Sequence, residues 1–478
     1  MSLIQATPPI SCSGLVSFSP NNEYIASVNV FRLQVYISAS SPLKLLIEHK
    51  FKDEISLIQW SYNSKYILVA LIERNLCFVQ SATNCSVSYK VDEGLFGLVN
   101  AMFVPNKTEQ IITLNSFNVR MTIWSLHDKT SHFITNPKFP NSKGIAFSSL
   151  SSLMCLAERR ELSEHIGVYN TKDWSIINHF PVKSRDLQEI KLTSDNDNIL
   201  IIESEIYCIV YLYSISGDLL RYIEPYVDKA GIKELQISPN GCLFSIGCMD
   251  GNAYLYYLNS ELSFIDLLEH CTLQIDESVY ILKESVVKVK NKFDVSVFNK
   301  IEIPYRIETD ENINTVENNI VIITEWSSDS LYLTTVNQLM PNVLWIWKIE
   351  DLSLQTIIIF ENKITQVKTS NNNILMILCN CSRVFLFDFN KNNITGYDTG
   401  FILPPKYVEW DKEGEKFIIG NNSNYLSCLI PKENLKLENT NSQYFYASGG
   451  INNNGTSSNF YNDESASYSY FNNNFYKK

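Results

Sequence analysis

The chain has 478 residues, with 39 Lys and Arg against 51 Asp and Glu and a formal charge of −12. That balance argues against a basic nucleic-acid binder or a polybasic membrane-surface protein, because phosphate binding needs clustered positive charge. Hydrophobic residues make up 45%, with 26 Tyr and 25 Phe, which is ample for a large packed core.

Met1–Pro20 has neither the charged start nor the continuous apolar run of a secretory signal. Later apolar stretches, such as Ile320–Ile323 and Ile357–Phe360, have strand length and fall far short of a membrane span. A soluble intracellular protein is expected, with its 11 Cys as free thiols.

In chain order, a recurring unit has an apolar residue closing a strand, then Ser, Thr, Pro or Asn, then a second apolar strand. Its anchors are Phe18 (FSPNNEYIAS), Trp60 (WSYNSKYILV), Phe103 (FVPNKTEQIIT), Phe147 (FSSLSSLMCLA), Leu192 (LTSDNDNILII), Ile237 (ISPNGCLFSI), Trp326 (WSSDSLYLTT), Lys368 (KTSNNNILMIL) and Trp410 (WDKEGEKFII). Successive anchors lie 42 to 45 residues apart, except for one step of 89 between Ile237 and Trp326. A third strand rich in β-branched and aromatic residues follows each, from Leu33–Ile37 to Tyr425–Ile430. This period is that of WD40-type blades, each a four-stranded antiparallel sheet. The expectation is an all-β, WD40-type β-propeller over residues 1–435, with about nine blades (eight to ten), little helix and one closed ring.

The long step holds a degenerate blade or an insertion at about 271–318. Val279–Leu282, Val286–Lys290 and Asp294–Phe298 read as strands without the turn signature, so an insertion is preferred. At the end of the ring Pro431-Lys432-Glu433-Asn434 weakens a fourth strand. Ser2–Ala6 could fill that place, and Gln443–Ala447 could do so from the other end. From Lys436 the composition turns to Asn, Tyr, Phe, Ser and Gly with almost no aliphatic residue, so 436–478 reads as a disordered tail.

Catalytic and metal signatures are missing from the sequence. The six His are scattered, with no HExxH, no paired CxxC, no GxxxxGK[ST], no GxGxxG and no GxSxG. A non-enzymatic protein without cofactor or metal is expected. What stands out is a set of polar segments: Lys90-Val91-Asp92-Glu93-Gly94 running into Gly97-Leu98-Val99, Arg120 opening a third strand, Glu158-Arg159-Arg160 ending a second strand, and Met340-Pro341-Asn342 before Trp345 and Trp347. Asp92, Glu93, Arg120, Glu158, Arg159, Arg160 and Asn342 are the partner-binding candidates. Hydrogen bonds or ion pairs between blades are the competing role for each, and Trp345 and Trp347 are expected in the core.

In this order, KVDEG with GLV (90–99), RMTIWSL (120–126), LAERR (156–160), GIKELQISPNG with DGNAYLY (231–256) and MPNVLWIWKI (340–349) resemble the family of WD-repeat protein eight, also known as WD repeat-containing protein antisense to the p-seventy-three gene. The resemblance covers roughly residues 12–430. It implies a WD40 scaffold of the cytoplasm, centrosome and spindle pole that binds a coiled-coil adaptor, with a minus-end-directed kinesin in yeast-type complexes. It further implies anchoring of microtubule minus ends and support of spindle assembly, with indirect microtubule association and no nucleic-acid or membrane partner. The rival class is a large-ring propeller of translation-initiation type that binds ribosome or RNA.

Overall fold

The repeat anchor is a turn device. In the computed structural model, Ser19 Oγ donates to Asn21 Oδ1 at 2.7 Å and accepts from Tyr24 N at 2.9 Å. The same arrangement recurs at Ser61 with Asn63 and Tyr66, Ser238 with Asn240 and Leu243, and Ser327 with Asp329 and Tyr332. A hydroxyl that supplies both a donor and an acceptor fixes the reversal between two strands locally. This is why the Ser-x-Asn spacing was legible.

The structure describes residues 4–84, 88–148, 152–225, 231–270, 275, 277–288, 294–302, 305–307, 320–430 and 443–445. Among these, nine antiparallel sheets follow one another in sequence. Blade 1 is Val16–Phe18, Tyr24–Asn29, Arg32–Ile37 and Lys44–Lys50. Blades 2 to 6 repeat that order, and their first strands are Leu57–Trp60, Asn100–Phe103, Ile145–Phe147, Leu187–Leu192 and Ile232–Ile237. The first strands of blades 7, 8 and 9 are Val321–Trp326, Ile364–Thr369 and Tyr407–Trp410. First strands are mostly buried or half-buried, and several fourth strands, such as Thr130–Thr135, are mostly exposed, so the sheets radiate outward from the first strand.

The core lies between blades. Leu33 and Val35 of blade 1 pack with Ile67 and Val69 of blade 2, and comparable clusters join every successive pair. The ninth cluster joins Val16, Phe18, Ile25 and Tyr36 of blade 1 to Ile418 and Tyr425 of blade 9. That cluster closes a single ring of nine blades. Anchor tryptophans reinforce these interfaces. Trp60 Nε1 donates to Ser17 O at 3.2 Å and Trp410 Nε1 to Lys368 O at 3.1 Å, each in the preceding blade. The second bond uses the Lys368 backbone, which explains how a polar residue stands at an anchor.

Both chain ends serve the last blade. Ile4–Ala6 is its fourth strand, paired antiparallel with Asn424–Leu429, and Gln443–Phe445 pairs on the outside of Ile4–Ala6. Apart from 443–445, the tail expected from Lys436 lies outside the described residues.

The long step does not add a tenth sheet among the described residues. Tyr280–Lys288 and Asp294–Ile301 form a hairpin that joins blade 7, pairing in parallel with its fourth strand Ser353–Ile359. The hairpin wedges against blade 8: Phe298 meets Phe360 and Phe385 edge-on, and buried Arg383 Nη2 lies 3.2 Å from Glu284 Oε1.

Candidate interaction face

Alternating strand direction gives the ring two unlike faces. Turns from first to second strand and loops from third to fourth emerge on one, here the turn face. Turns from second to third strand and crossings between blades emerge on the other, the loop face.

Neighbouring turns on the turn face bond to one another. Asn21 N donates to Ser64 Oγ at 3.0 Å, Asn240 N to Ser330 Oγ at 3.1 Å, Asn372 Nδ2 to Glu413 O at 2.9 Å and Lys412 N to Asn22 Oδ1 at 3.1 Å. Among the described residues, the large apolar side chains exposed in its turns are Tyr62, Leu331 and Leu352.

On the loop face, apolar side chains stand out into solvent at loop tips. Phe117 is 96% exposed, Leu162 93% and Ile402 100%, joined by Phe31, Leu95, Phe96, Ile206 and Leu403. Val30, Phe117 and Leu162 also hold left-handed backbone, with φ of 49°, 62° and 69°. Bulky residues rarely adopt this conformation, which costs about 1 kcal/mol or more. Exposed apolar groups gathered on one face mark an interaction surface.

All seven sequence candidates fall on this loop face, with two different roles. Glu93 is buried and gathers Thr113 Oγ1, Asn115 Nδ2 (2.8 Å), Trp124 Nε1 (2.9 Å) and Arg120 Nη2 (3.4 Å). It ties the crossing from blade 2 to two strands of blade 3. Glu158 is also fully buried and accepts from Tyr169 Oη and from Arg160 Nε (3.0 Å) and Nη2 (2.7 Å), with His179 Nε2 at 3.2 Å. These two carboxylates are interior network residues, out of a partner's reach. Asn342 exchanges hydrogen bonds with Phe360, Nδ2 to O at 2.9 Å and O from N at 2.8 Å, and so braces a loop.

Of the remaining four, Asp92, Arg159 and Arg160 present charge outward, while the Arg120 side chain is mostly buried beside Glu93. Asp92 is exposed and caps Gly94 N at 3.0 Å. Arg120 lays its guanidinium 3.7 Å from the Phe96 ring centre. The Arg159 side chain is 51% exposed, with Nε 3.8 Å from Glu164, and Arg160 is half-exposed over Glu158. Asp92, Arg120, Arg159 and Arg160 sit on blades 2 to 4, the sector that also carries Leu95, Phe96, Phe117 and Leu162.

Trp345 and Trp347 are buried. Trp347 Nε1 donates to Thr335 Oγ1 at 2.9 Å, and His270 lies 2.8 Å from the same hydroxyl and 2.8 Å from Gly251 O. Burial pushes His270 down to about 4, against smaller raising effects from the Gly251 carbonyl and Asp250, so the ring is neutral at pH 7.

Sequence reasoning missed the apolar tips and a neighbouring cleft in blade 5. A signal for the tips existed: Phe117 in NSFNV and Leu162 in RRELS are bulky apolar residues at turn positions where polar ones are favoured. The cleft has about 400 Å³ and is lined by Lys183, Arg185, Glu203, Tyr207, Ile209, Tyr211, Tyr222 and Glu224. Burial, then the Glu203 carboxylate, pushes the Tyr211 phenol up to about 12. Among the described residues, no group of three or more His, Cys, Asp or Glu is placed to hold a metal ion, and no helix is long and apolar enough to cross a membrane.

Against known structures, the ring matches the C-terminal WD40 domain of Sif2 with a TM-score of 0.51 and 9% identity, covering 90% of this chain and 99% of that one. The chain is a WD-repeat β-propeller. Mouse WD repeat-containing protein WRAP73 is 28% identical over 373 residues, covering 72% of this chain and 77% of its own, which bears out the resemblance read from LAERR and PNVLWIWKI. An uncharacterized WD repeat-containing protein of Schizosaccharomyces pombe, C32H8.09, is 21% identical over 261 residues, about half of each chain. No family model matches.

Proposed function

We propose that this propeller is a non-enzymatic scaffold of the centrosome and spindle pole, whose loop face binds a coiled-coil adaptor. Together they anchor microtubule minus ends and support spindle assembly, and a minus-end-directed kinesin joins the complex. The polar reading draws on the resemblance to WD-repeat protein eight and on the 28% identity to mouse WRAP73. The observation behind the interaction face is the contrast between the two faces: turns bonded to one another on one side, exposed apolar tips and half-exposed arginines on the other. A net charge of −12 disfavours direct contact with an acidic microtubule lattice, so the adaptor or motor makes that contact. Joining two modest contacts raises effective concentration at the pole.

The test uses Phe117→Ser, Leu162→Ser and Arg159→Ala, with localisation in dividing cells and thermal stability measured side by side. Stable protein that leaves the pole is the expected outcome. A wild-type protein that never visits a microtubule-organising centre would refute the function.

A further inference from the structure

The blade 5 cleft opens at the loop-face end of the crossing from blade 4, next to the arginine sector. Lys138 Nζ bridges the two, 2.8 Å from Glu164 and 2.9 Å from Asp186, and Glu164 is the carboxylate beside Arg159. Two cations of the cleft differ from most charged groups around them. Arg120, Lys138, Arg159, Arg160 and Lys233 each have a carboxylate within ion-pair distance. Among the described residues, neither Lys183 nor Arg185 has one.

The acidic groups of the cleft are accounted for. Glu203 is buried and already accepts from Ser184 Oγ at 2.5 Å and from the amides of Arg185 and Asp186 at 2.7 and 2.9 Å. Glu224 also lines the cleft and is exposed, so water screens its charge. Arg185 stands 5.5 Å from the Tyr207 ring centre, so its guanidinium is held in place while its charge remains in solvent. Opposite it, Tyr211 and Tyr222 lie with ring centres 6.1 Å apart, and Tyr222 is 54% exposed.

Two exposed cations with no carboxylate within ion-pair distance, beside an aromatic wall in a cleft large enough to admit a ring, favour an apolar ring flanked by carboxylates. We propose that this cleft anchors an acidic segment of a protein partner, inserting one aromatic residue against Tyr211 and Tyr222 while neighbouring Asp or Glu side chains engage Lys183 and Arg185. The inference deepens the scaffold reading and rests on it only in supposing a protein partner.

Two dye-labelled heptapeptides test it on the full chain: one with a phenylalanine between pairs of glutamates, the other with the same phenylalanine between lysines. Fluorescence anisotropy should show the glutamate peptide binding, the lysine peptide not binding, and affinity falling as salt is raised. Lys183→Glu and Tyr222→Ala should each weaken the glutamate peptide by about tenfold or more, at an unchanged melting midpoint. Should Tyr222→Ala melt early, Lys183→Glu alone decides. No binding of the glutamate peptide, equal binding of both peptides, or full affinity in Lys183→Glu overturns the proposal. Imaging the Lys183→Glu protein separates the two readings: wild type absent from the pole refutes the scaffold function and leaves the peptide result standing, whereas peptide failure with wild type at the pole refutes only the cleft.

Discussion

A carboxylate and an arginine on the same face can have opposite fates in this ring. Glu93 is buried with four partners on blade 3, so Glu93→Ala takes the carboxylate from the half-buried Arg120 guanidinium and leaves Trp124 and Asn115 only their bonds to Thr113 and Gly97. It should cost about 3–5 kcal/mol, read as an early chemical-denaturation midpoint. Arg159→Ala removes a half-exposed side chain 3.8 Å from its partner and should change stability by about 1 kcal/mol or less. Charge alone could not sort these residues in the sequence, because burial of Glu93 depends on Thr113, Asn115 and Trp124, some 20 to 31 positions away. His270 gives a pH-dependent counterpart. Its pKa is depressed to about 4 in the fold, while an unfolded His titrates near 6.5. The unfolded chain therefore binds more protons between those values, and stability is full above about pH 6.5 and falls as the pH drops toward 4. The loss is at most about 3 kcal/mol. Raised carboxyls such as Glu409, driven up by burial, act in the opposite sense, so the comparison is between wild type and His270→Gln. The slope over that range should be shallower in the variant, and an equal slope would assign the titration elsewhere.

Strands and turns were legible where their cause is local. Polar turns, Ser-x-Asn or Ser-x-Asp in blades 1, 2, 6 and 7, and β-branched third strands announce the blades because hydroxyl, amide and side-chain shape act within ten residues. The destination of the 280–301 hairpin was not, because it pairs with Ser353–Ile359 after the rest of blade 7 has intervened, and a pairing made at that separation leaves no local pattern. The hairpin's hold on blade 8 is concentrated in Glu284, which also accepts from Ser296 Oγ at 2.6 Å and Glu361 N at 3.0 Å. Glu284→Ala leaves Arg383 buried without its nearest carboxylate and should destabilise by about 3–5 kcal/mol. Hydrogen exchange should show the added opening first in 280–301 and 383–398. Exchange increases spread evenly over the ring would mean that the hairpin is not a separate unit.

At the scale of the molecule, nine inter-blade clusters form a closed circuit, and its last blade is completed by Ile4–Ala6. Removing residues 1–7 takes away the fourth strand of blade 9, with buried Ile4 and Ala6, and exposes the edge of Asn424–Leu429. The shortened chain should melt several degrees early and associate in solution, which scanning calorimetry and light scattering would show. Deleting 449–478 removes a segment with few aliphatic residues and should leave the melting transition in place. A large shift on that deletion would show that the tail packs on the ring.

Closure by the first strand also imposes an order on synthesis. Ile4–Ala6 leaves the ribosome well ahead of its partner Asn424–Leu429, which is made more than 400 residues later. At about 5–20 residues per second the delay is roughly 20–80 s, during which an apolar segment has no neighbour to pair with. Blades 1 to 8 can stack on one another as they emerge, but the circle is sealed only after release of nearly the whole chain. Nascent protein should therefore present its amino terminus to chaperones for most of translation, and ribosome stalling before residue 424 should yield an open arc.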